Sequence, residues 1–462
     1  MSDFDGNPGL GIVNNIDLMS QSGIRVDIRN LVIELQVTEN IYDTFITGKL
    51  TLSVVDGMLE SQGIVLGGQE TLLIKARSST SFGDDTGKEE GTEIRGEFTV
   101  YEVLKTREEP NVSTIVLSFV SPEAIQNNFY KISKWFSPQK RSGMITKIYE
   151  DYLKLRKELV EIDTTKDSNF TFVCPNWSPL QTIDWLKNSS TSTDNPCNHF
   201  VFYESFNKTG DIPSTKELVE YKFKSIAKLY KQPTVMTYTL RPLNIPGKSY
   251  AEEQHRNIEV LDPDKINQVE PVQSGAYGSK IIMHDLFRKK IIENDFSYDD
   301  EPDPHHWPQK NIPALNQTAS TNVMTWAGSS PRTQTKVLYT NKHSFKTDEP
   351  NEGNERYKDW YQRSISQSFT RNQSSVYLGV VGDTSRGVGQ LINIEKTILK
   401  PQPEGKGVVK NVPDEYHEYG GEWLVTACTH YFRLHGETKN YKVATYMRCK
   451  RDGMPKRYGV ES

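Results

Sequence analysis

At 462 residues and 52.7 kDa the chain is too long for one ordinary core, and two to four domains are expected. A net charge of −5 and a pI near 6.1 argue against a protein that grips nucleic acid through a basic patch, and 35% hydrophobic with 25% charged residues argues against disorder. The four cysteines, Cys174, Cys197, Cys428 and Cys449, form no CxxC pair, the N-terminus MSDFDGNPGLGIVNN has no apolar core of a signal peptide, and no stretch reaches the roughly 18 apolar residues of a membrane helix.

The first third reads as β. Ile24 to Val37 alternates, with Leu31, Ile33, Leu35 and Val37 on one face, and Phe45 to Val55 repeats the pattern. Glu70 to Ala76, Ile94 to Thr106 and Val112 to Val120 follow, the last two joined by a turn at 107–111. Five strands within about 100 residues predict a small closed or nearly closed antiparallel barrel. Ser121-Pro122-Glu123 then opens a helix, as N-cap, first helical residue and first-turn acid, with Ile125, Phe129, Ile132 and Phe136 near helical spacing. Met144 to Leu159 reads as a second amphipathic helix and Leu180 to Leu186 as a third, before strands His199–Glu204 and Glu220–Ser225.

Beyond Ile258 the β character returns. Ile266–Val272 and Ser279–Asp285 are candidate strands around the turn QSGAYG. The segment 300–353 is dense in Pro, Asn, Ser and Thr, and reads as an insertion ordered by partners. A helix is expected over Glu355–Phe369, with Tyr357, Trp360, Tyr361, Ile365 and Phe369 on one face. Strands follow at Ser375–Val381 and Gly389–Leu399, then a closing pair, Trp423–Phe432 and Tyr441–Cys449. The expected fold class is α+β and multidomain: two tube-like antiparallel β-barrels, an α/β middle domain and a long polar insertion. The boundaries are 1–121 for the first barrel, 122–255 for the middle domain, 256–299 with 354–462 for a discontinuous second barrel, and 300–353 for the insertion.

The chain shows little chemistry. His305-His306 sits in a polar loop without a second ligand pair, so a solvated loop is the plainer reading. Cys197-x-His199 and Cys428-x-His430 each place two ligand types on one strand face, which could build a Cys2His2 zinc site between domains, or simply be buried thiols beside hydrogen-bonded imidazoles. Asp299-Asp300-Glu301 reads as a solvated acidic run. The Gly-rich pieces GVVGDTSRGVGQ and QSGAYGSK lack a following helix and read as hairpin turns rather than phosphate loops. Trp177, Trp185, Trp307, Trp326 and Trp360 have no common spacing and read as core or interface anchors. No GxSxG, Walker-type or HExxH pattern occurs. No catalytic, cofactor or metal residue is assigned.

Several stretches are collinear with one family. NFTFVCPNWSP, the helix LQTIDWLKNSS and the strand FVFYES (169–205) resemble the middle domain of the baseplate hub proteins of contractile-tailed bacteriophages, which are related to the N-terminal part of type VI secretion spike proteins. SPEAIQNNFYKISKWF, EYKFKSIAKL, SGAYGSKIIMHDLFRKK, VGDTSRGVGQLINIE and the closing hairpin WLVTACTHYF with YKVATYMRCKRDG resemble further pieces of that family in the same order. The pieces span roughly 330 residues; the N-terminal 20 residues, 78–92 and 300–353 have no counterpart.

The resemblance implies a structural virion protein, not an enzyme, without cofactors. It implies a homotrimeric hub whose six barrels adapt a sixfold tail tube or tube-initiator protein on one face to a trimeric central spike on the other. Baseplate wedge proteins would surround it, genomic DNA would pass through without specific binding, and the host envelope would be met only indirectly. Its place would be the tail baseplate of the virion, assembled in the host cytoplasm. A hub-like spike of a type VI or other contractile injection system is the alternative; the chain's end nine residues after Gly453 favours the phage hub. A tail-associated cell-wall hydrolase is an alternative of another class, and needs an acidic pair or a metal set in a cleft.

Overall fold

Strand alternation builds most of this molecule, and its longest strand, Ile94–Glu109, runs for 16 residues. The computed structural model describes residues 9–78, 93–109, 111–154, 158–166, 170–193, 199–206, 219–240, 254–263, 270, 273–276, 278–285, 289–297, 334–340, 361–369, 374–401, 409–413, 419–435 and 440–451. The N-terminal strands are β1 (Leu10–Met19), β2 (Arg25–Asp27), β3 (Val32–Asn40), β4 (Thr47–Val55), β5 (Thr71–Ser78), β6 (Ile94–Glu109) and β7 (Val112–Val120), with one short helix, α1 (Met58–Ser61). In β4 every second residue is buried, Gly48, Leu50, Leu52 and Val54, so one face fills a core and the other meets solvent. β3 starts one step out of the expected phase. A register shift against β4 between Val32 and Glu34 turns Val32 inward with Leu35 and Val37, in place of Ile33.

The middle region holds α2 (Pro122–Phe129), β8 (Trp135–Gln139), α3 (Arg141–Ile148), β9 (Glu158–Ile162), β10 (Phe170–Val173), α4 (Pro179–Asn188), β11 (Phe200–Phe206), β12 (Val219–Ser225) and α5 (Ile226–Tyr230). Two helices end sooner than their apolar spacing predicts. α2 stops at Phe129, which is 79% exposed; Ile132 continues into a bridge with Trp177, and Phe136 lies in β8. α3 relaxes into one π turn at Tyr149–Leu153, and the chain then forms β9, which pairs parallel with β12. Ile132 and Phe136 thus reach the middle core from a bridge and a strand instead of a helix. α4 starts as expected: Ser178 caps it by accepting from the Gln181 amide at 3.3 Å.

The last part comprises β13 (Thr234–Leu240), β14 (Ile258–Pro263), β15 (Gly278–Asp285), β16 (Lys290–Ser297), β17 (Gln334–Thr340), a helix α6 over 361–369, β18 (Ser374–Val381), β19 (Leu391–Pro401), β20 (Val409–Pro413), β21 (Gly421–His435) and β22 (Asn440–Arg451). The fold is mixed α and β with several cores, as the sequence predicts.

Fourteen strands share one continuous sheet that closes on itself. In the order β21-β3-β4-β7-β6-β5-β1-β22 it returns to β21, because β21 and β22 pair; this is cylinder 1, antiparallel throughout. The expected boundary at residue 121 omits the two strands that close it. The same β21–β22 hairpin carries β19 and β13 on one side and β18 and β14 on the other, and a bridge from Thr239 to Asn257 joins β13 to β14; this is cylinder 2. Cylinder 2 is not wholly antiparallel, since β13 enters from α5 and runs parallel to β19. Among the described residues of 256–299, β14 and the adjoining Asn257 belong to it. β15 and β16 instead form a separate sheet with β17, a strand inside the expected insertion.

Helix α6 inverts its expected face. Gln362, Ser366 and Gln367 are buried, while Tyr361 and Ile365 are only half-buried. Gln362 explains this: its amide bonds the carbonyl of Ser279 on β15 at 2.9 Å and accepts from Asn294 on β16 at 2.7 Å. A buried amide with its bonds made is tolerated where an unbonded one is not.

The described residues form three apolar cores. One fills cylinder 1, one fills cylinder 2 and one lies between helices and strands of the middle region. Both cylinders are packed with side chains, so neither is itself a pore.

Candidate functional site

The three cores meet at β11. Its sequence, FVFYESF, is buried at every position, which a strand allows only when both its faces are covered. Phe200 and Phe202 pack into the middle core, Val201 and Tyr203 into cylinder 2, and Phe206 into cylinder 1. Glu204 ties the strand to cylinder 1. Its carboxylate accepts from the Ile46 amide at 2.8 Å and from the Ser121 hydroxyl, and its own amide donates to Thr44 O at 3.0 Å. Ser121 therefore precedes α2 as expected, but its hydroxyl serves Glu204 rather than capping the helix.

The second element of the joint is the loop 382–390, within the stretch expected to be a hairpin turn. β18 and β19 do not pair with each other; they lie on opposite sides of the shared hairpin, and the loop crosses between them. The loop centres on Asp383, fully buried. Its carboxylate accepts from Arg386 Nε at 2.9 Å, from the Ser385 amide at 2.9 Å and from the Ser385 hydroxyl, and lies 3.1 Å from His255 Nε2. Burial on its own pushes this carboxyl up, but the Arg386 guanidinium, His255 and Ser385 outweigh it and hold it well below the usual carboxylate range. The next residue, Thr384, reaches cylinder 1: its hydroxyl accepts from the Ser78 amide at 3.1 Å and lies 3.1 Å from the Ser78 hydroxyl. The Asp383 amide donates to Thr445 Oγ1 of β22 at 3.0 Å.

Two backbone positions mark where the shared strands pass from one cylinder to the other. In β22, Val443 donates its N–H to Gly9 of cylinder 1 at 2.7 Å, while its carbonyl accepts from Gly382 of the cylinder 2 loop at 3.1 Å. Gly11 and Gly382 crowd this residue from the two sides, and a Cβ at either would collide with Val443. In β21 the register against β22 shifts between Val425 and Ala427. There Thr426 O accepts from Ile41 of the β3–β4 side at 2.9 Å, whereas the Val425 amide donates to Gln390 O at 2.9 Å. Gly389, with φ +79°, packs under Tyr203, where a side chain would strike the phenol oxygen.

The Cys428–His430 pair does share a face and a neighbourhood, with Sγ 3.7 Å from Nε2. Both are fully buried. His430 Nε2 bonds Arg386 O at 3.0 Å and Nδ1 lies 3.2 Å from Thr445 Oγ1, so the imidazole braces the loop. His199 instead stacks on Tyr42 at 6.3 Å. Among the described residues no three His, Cys, Asp or Glu side chains are placed to hold a metal. Cys197, His305, His306, Asp299, Asp300, Glu301, Trp307, Trp326 and Trp360 lie outside the described residues. Trp177 and Trp185 anchor the middle core, 5.8 Å apart, with Trp185 5.1 Å from the Phe172 ring. Burial raises the phenols of Tyr203 and Tyr238 and the thiol of Cys449, so all three stay neutral.

Sequence reasoning missed the Asp383 loop as a structural centre. The signal was there: Asp383 and Arg386 stand three apart between glycines, in a stretch also holding two hydroxyls. Chemically the arrangement holds a buried, fully opposed charge. The Ser385 hydroxyl faces Asp383 rather than an imidazole, and Asp383, Arg386 and His255 are all buried. The joint is thus built to fix geometry.

No family model matches the sequence, and no curated protein matches it. Among solved structures, the chain is similar to a tail protein of Neisseria meningitidis MC58, at 9% identity over 95% of this chain and 97% of that one, with a TM-score of 0.49. It is similar to the 43 kDa tail protein of prophage MuSo2 from Shewanella oneidensis, at 10% identity over 95% and 98%, with a TM-score of 0.48. It is also similar to an Escherichia coli component of the type VI secretion system, at 9% identity over 93% of this chain and 76% of that one, with a TM-score of 0.42.

Proposed function

We propose that this chain is a structural subunit of a contractile tail, a baseplate hub that assembles as a homotrimer and carries out no reaction. The observation that carries the reading is two filled β cylinders held on one shared hairpin within one chain. Three copies would then present six cylinders to a sixfold tube while keeping threefold symmetry for a spike. A ring of this kind needs heterologous contacts that close by rotation. The exposed cross-strand pair Trp135–Val173 and the exposed Phe129 are apolar surface suited to such contacts. The genome would pass between subunits, since the cylinders are filled, and a chain of net charge −5 would not grip phosphate there. In this reading the protein sits in the virion baseplate among tube, spike and wedge proteins.

Native mass measurement of the purified chain at micromolar concentration tests the proposal directly, with electron microscopy of the particles. Three copies in a ring with six peripheral densities is the expected result. A monomer that persists with and without the spike protein overturns it.

A further inference from the structure

The wall of cylinder 2 is unequal around its circumference. β18 and β22 pair over eight consecutive residues, Ser374↔Arg451 through Val381↔Ala444. Among the described residues, β13 and β14 meet at a single backbone bridge, Thr239↔Asn257, supplemented by Arg256 Nη1 donating to Thr237 O at 3.4 Å. Asn257 and Arg256 lie in and beside the turn at 254–256, and the third residue of this group, His255, points inward to Asp383 Oδ2 at 3.1 Å. Asp383 cannot yield readily. Arg386, Ser385 and the Thr445 hydroxyl hold it, and His430 braces the loop from below.

We propose that His255–Asp383 is a latch that keeps the β13–β14 seam shut, and that releasing it lets cylinder 2 open sideways while cylinder 1 stays closed. The energetic reasoning is local. Among the described residues, this seam of one bridge opens with less loss than any other line in the wall of cylinder 2, whose next weakest, β19–β21, has four registered pairs, because local opening follows the number of bonds and buried contacts broken. Pulling His255 off Asp383 removes a buried side-chain hydrogen bond that ties the β14 entry to the body of the cylinder. β13 would stay on β19, to which it pairs from Thr234 to Leu240, and β14 would stay on β18. The narrowest line of cylinder 1, β1–β22, is held by two registered pairs, Leu10↔Lys442 and Gly11↔Tyr441, and by the Val443 amide on Gly9 O at 2.7 Å, while its neighbours from β21 through β5 are joined by six or more pairs each. The latch does not depend on how many copies assemble.

Hydrogen exchange on the full chain tests the latch. His255→Gln should speed amide exchange over 234–240 and 258–263 by about tenfold or more, and leave 47–55 and 112–120 unchanged. An equal rise in both cylinders, or no rise at the seam, overturns the proposal. Should that variant not fold, Thr239→Cys with Asn257→Cys keeps the latch and bolts the seam. Oxidation should then slow exchange over the same two segments, and an unchanged rate on oxidation overturns the proposal equally.

Discussion

Cylinder 1 and cylinder 2 share two strands and differ in how they are held. Cylinder 1 is a ring of antiparallel ladders around an aliphatic core, with Phe98 and Phe119 packed 5.0 Å apart inside it. Cylinder 2 is a smaller ring with β13 parallel to β19, a near-open seam closed among the described residues by one parallel bridge, and a buried charged loop beside its core. The first is specified by hydrophobic burial, which is non-directional and adds up residue by residue. The second adds to its own apolar core a few directed polar contacts, each of which is costly to leave unmade. A structure that combines the two can be stiff in one place and yielding in the other.

The largest expected effect sits on the charged loop. Arg386→Met leaves Asp383 buried without its main counter-charge, and should cost about 3–5 kcal/mol in chemical denaturation near neutral pH. The sign of its pH dependence follows from Asp383. A carboxyl whose folded pKa is depressed stabilises the fold above its unfolded value, about 3.9, and that contribution fades as pH falls toward the folded value. The gap between wild type and Arg386→Met should therefore narrow below about pH 4. A gap that stays constant into acid would remove Asp383 from the account.

A matched pair of glycine substitutions sharpens the contrast. Gly48→Ala in cylinder 1 would drive a methyl into the Phe119 ring and Gln36 O, and Gly382→Ala at the crossover would drive one into Val443 and its carbonyl. Each should cost about 1–3 kcal/mol by overpacking. Limited proteolysis should then find new cuts in the N-terminal strands for Gly48→Ala and in 374–401 for Gly382→Ala. Identical cut patterns would mean the cylinders unfold as one. The smallest effect is expected at the end of cylinder 1, where the Tyr441 hydroxyl donates to Val32 O at 3.2 Å beside a cleft of about 490 Å³ lined by Leu10, Ile12, Arg29 and Leu434. Tyr441→Phe should lower the unfolding free energy by about 1 kcal/mol, read by the denaturation midpoint.

Much of this was legible in sequence because strand alternation and helix capping are local. β4, β7, β12, β18 and β22 fall within a residue or two of the expected ranges, β21 runs three residues past its expected end, and Ser178-Pro179 opens a helix. Three kinds of feature were not legible. β1 was missed because Asn14 and Asn15 interrupt its alternation, at the register shift between Val13 and Asn15. The buried polar face of α6 was missed because Gln362 is buried by its bonds to strand backbone, which no periodicity reveals. The joint was missed because its parts are far apart in sequence: Ser78 and Thr384, Glu204 and Ser121, His255 and Asp383. Pairings of that kind are set by topology, and a single sequence carries no record of them.

The hairpin that completes cylinder 1 comes from the far end of the chain: Thr38 on β3 and Thr429 on β21 touch hydroxyls at 3.0 Å although 391 residues separate them. During synthesis at roughly 5–20 residues per second, the early strands would wait about 20–80 s for the two that seal them. Through that interval the outer edges of β1 and β3 stand open on the nascent polypeptide, the condition that invites strand-to-strand aggregation. The order of the strands thus leaves two ladder edges to be kept from other chains until the last two strands emerge.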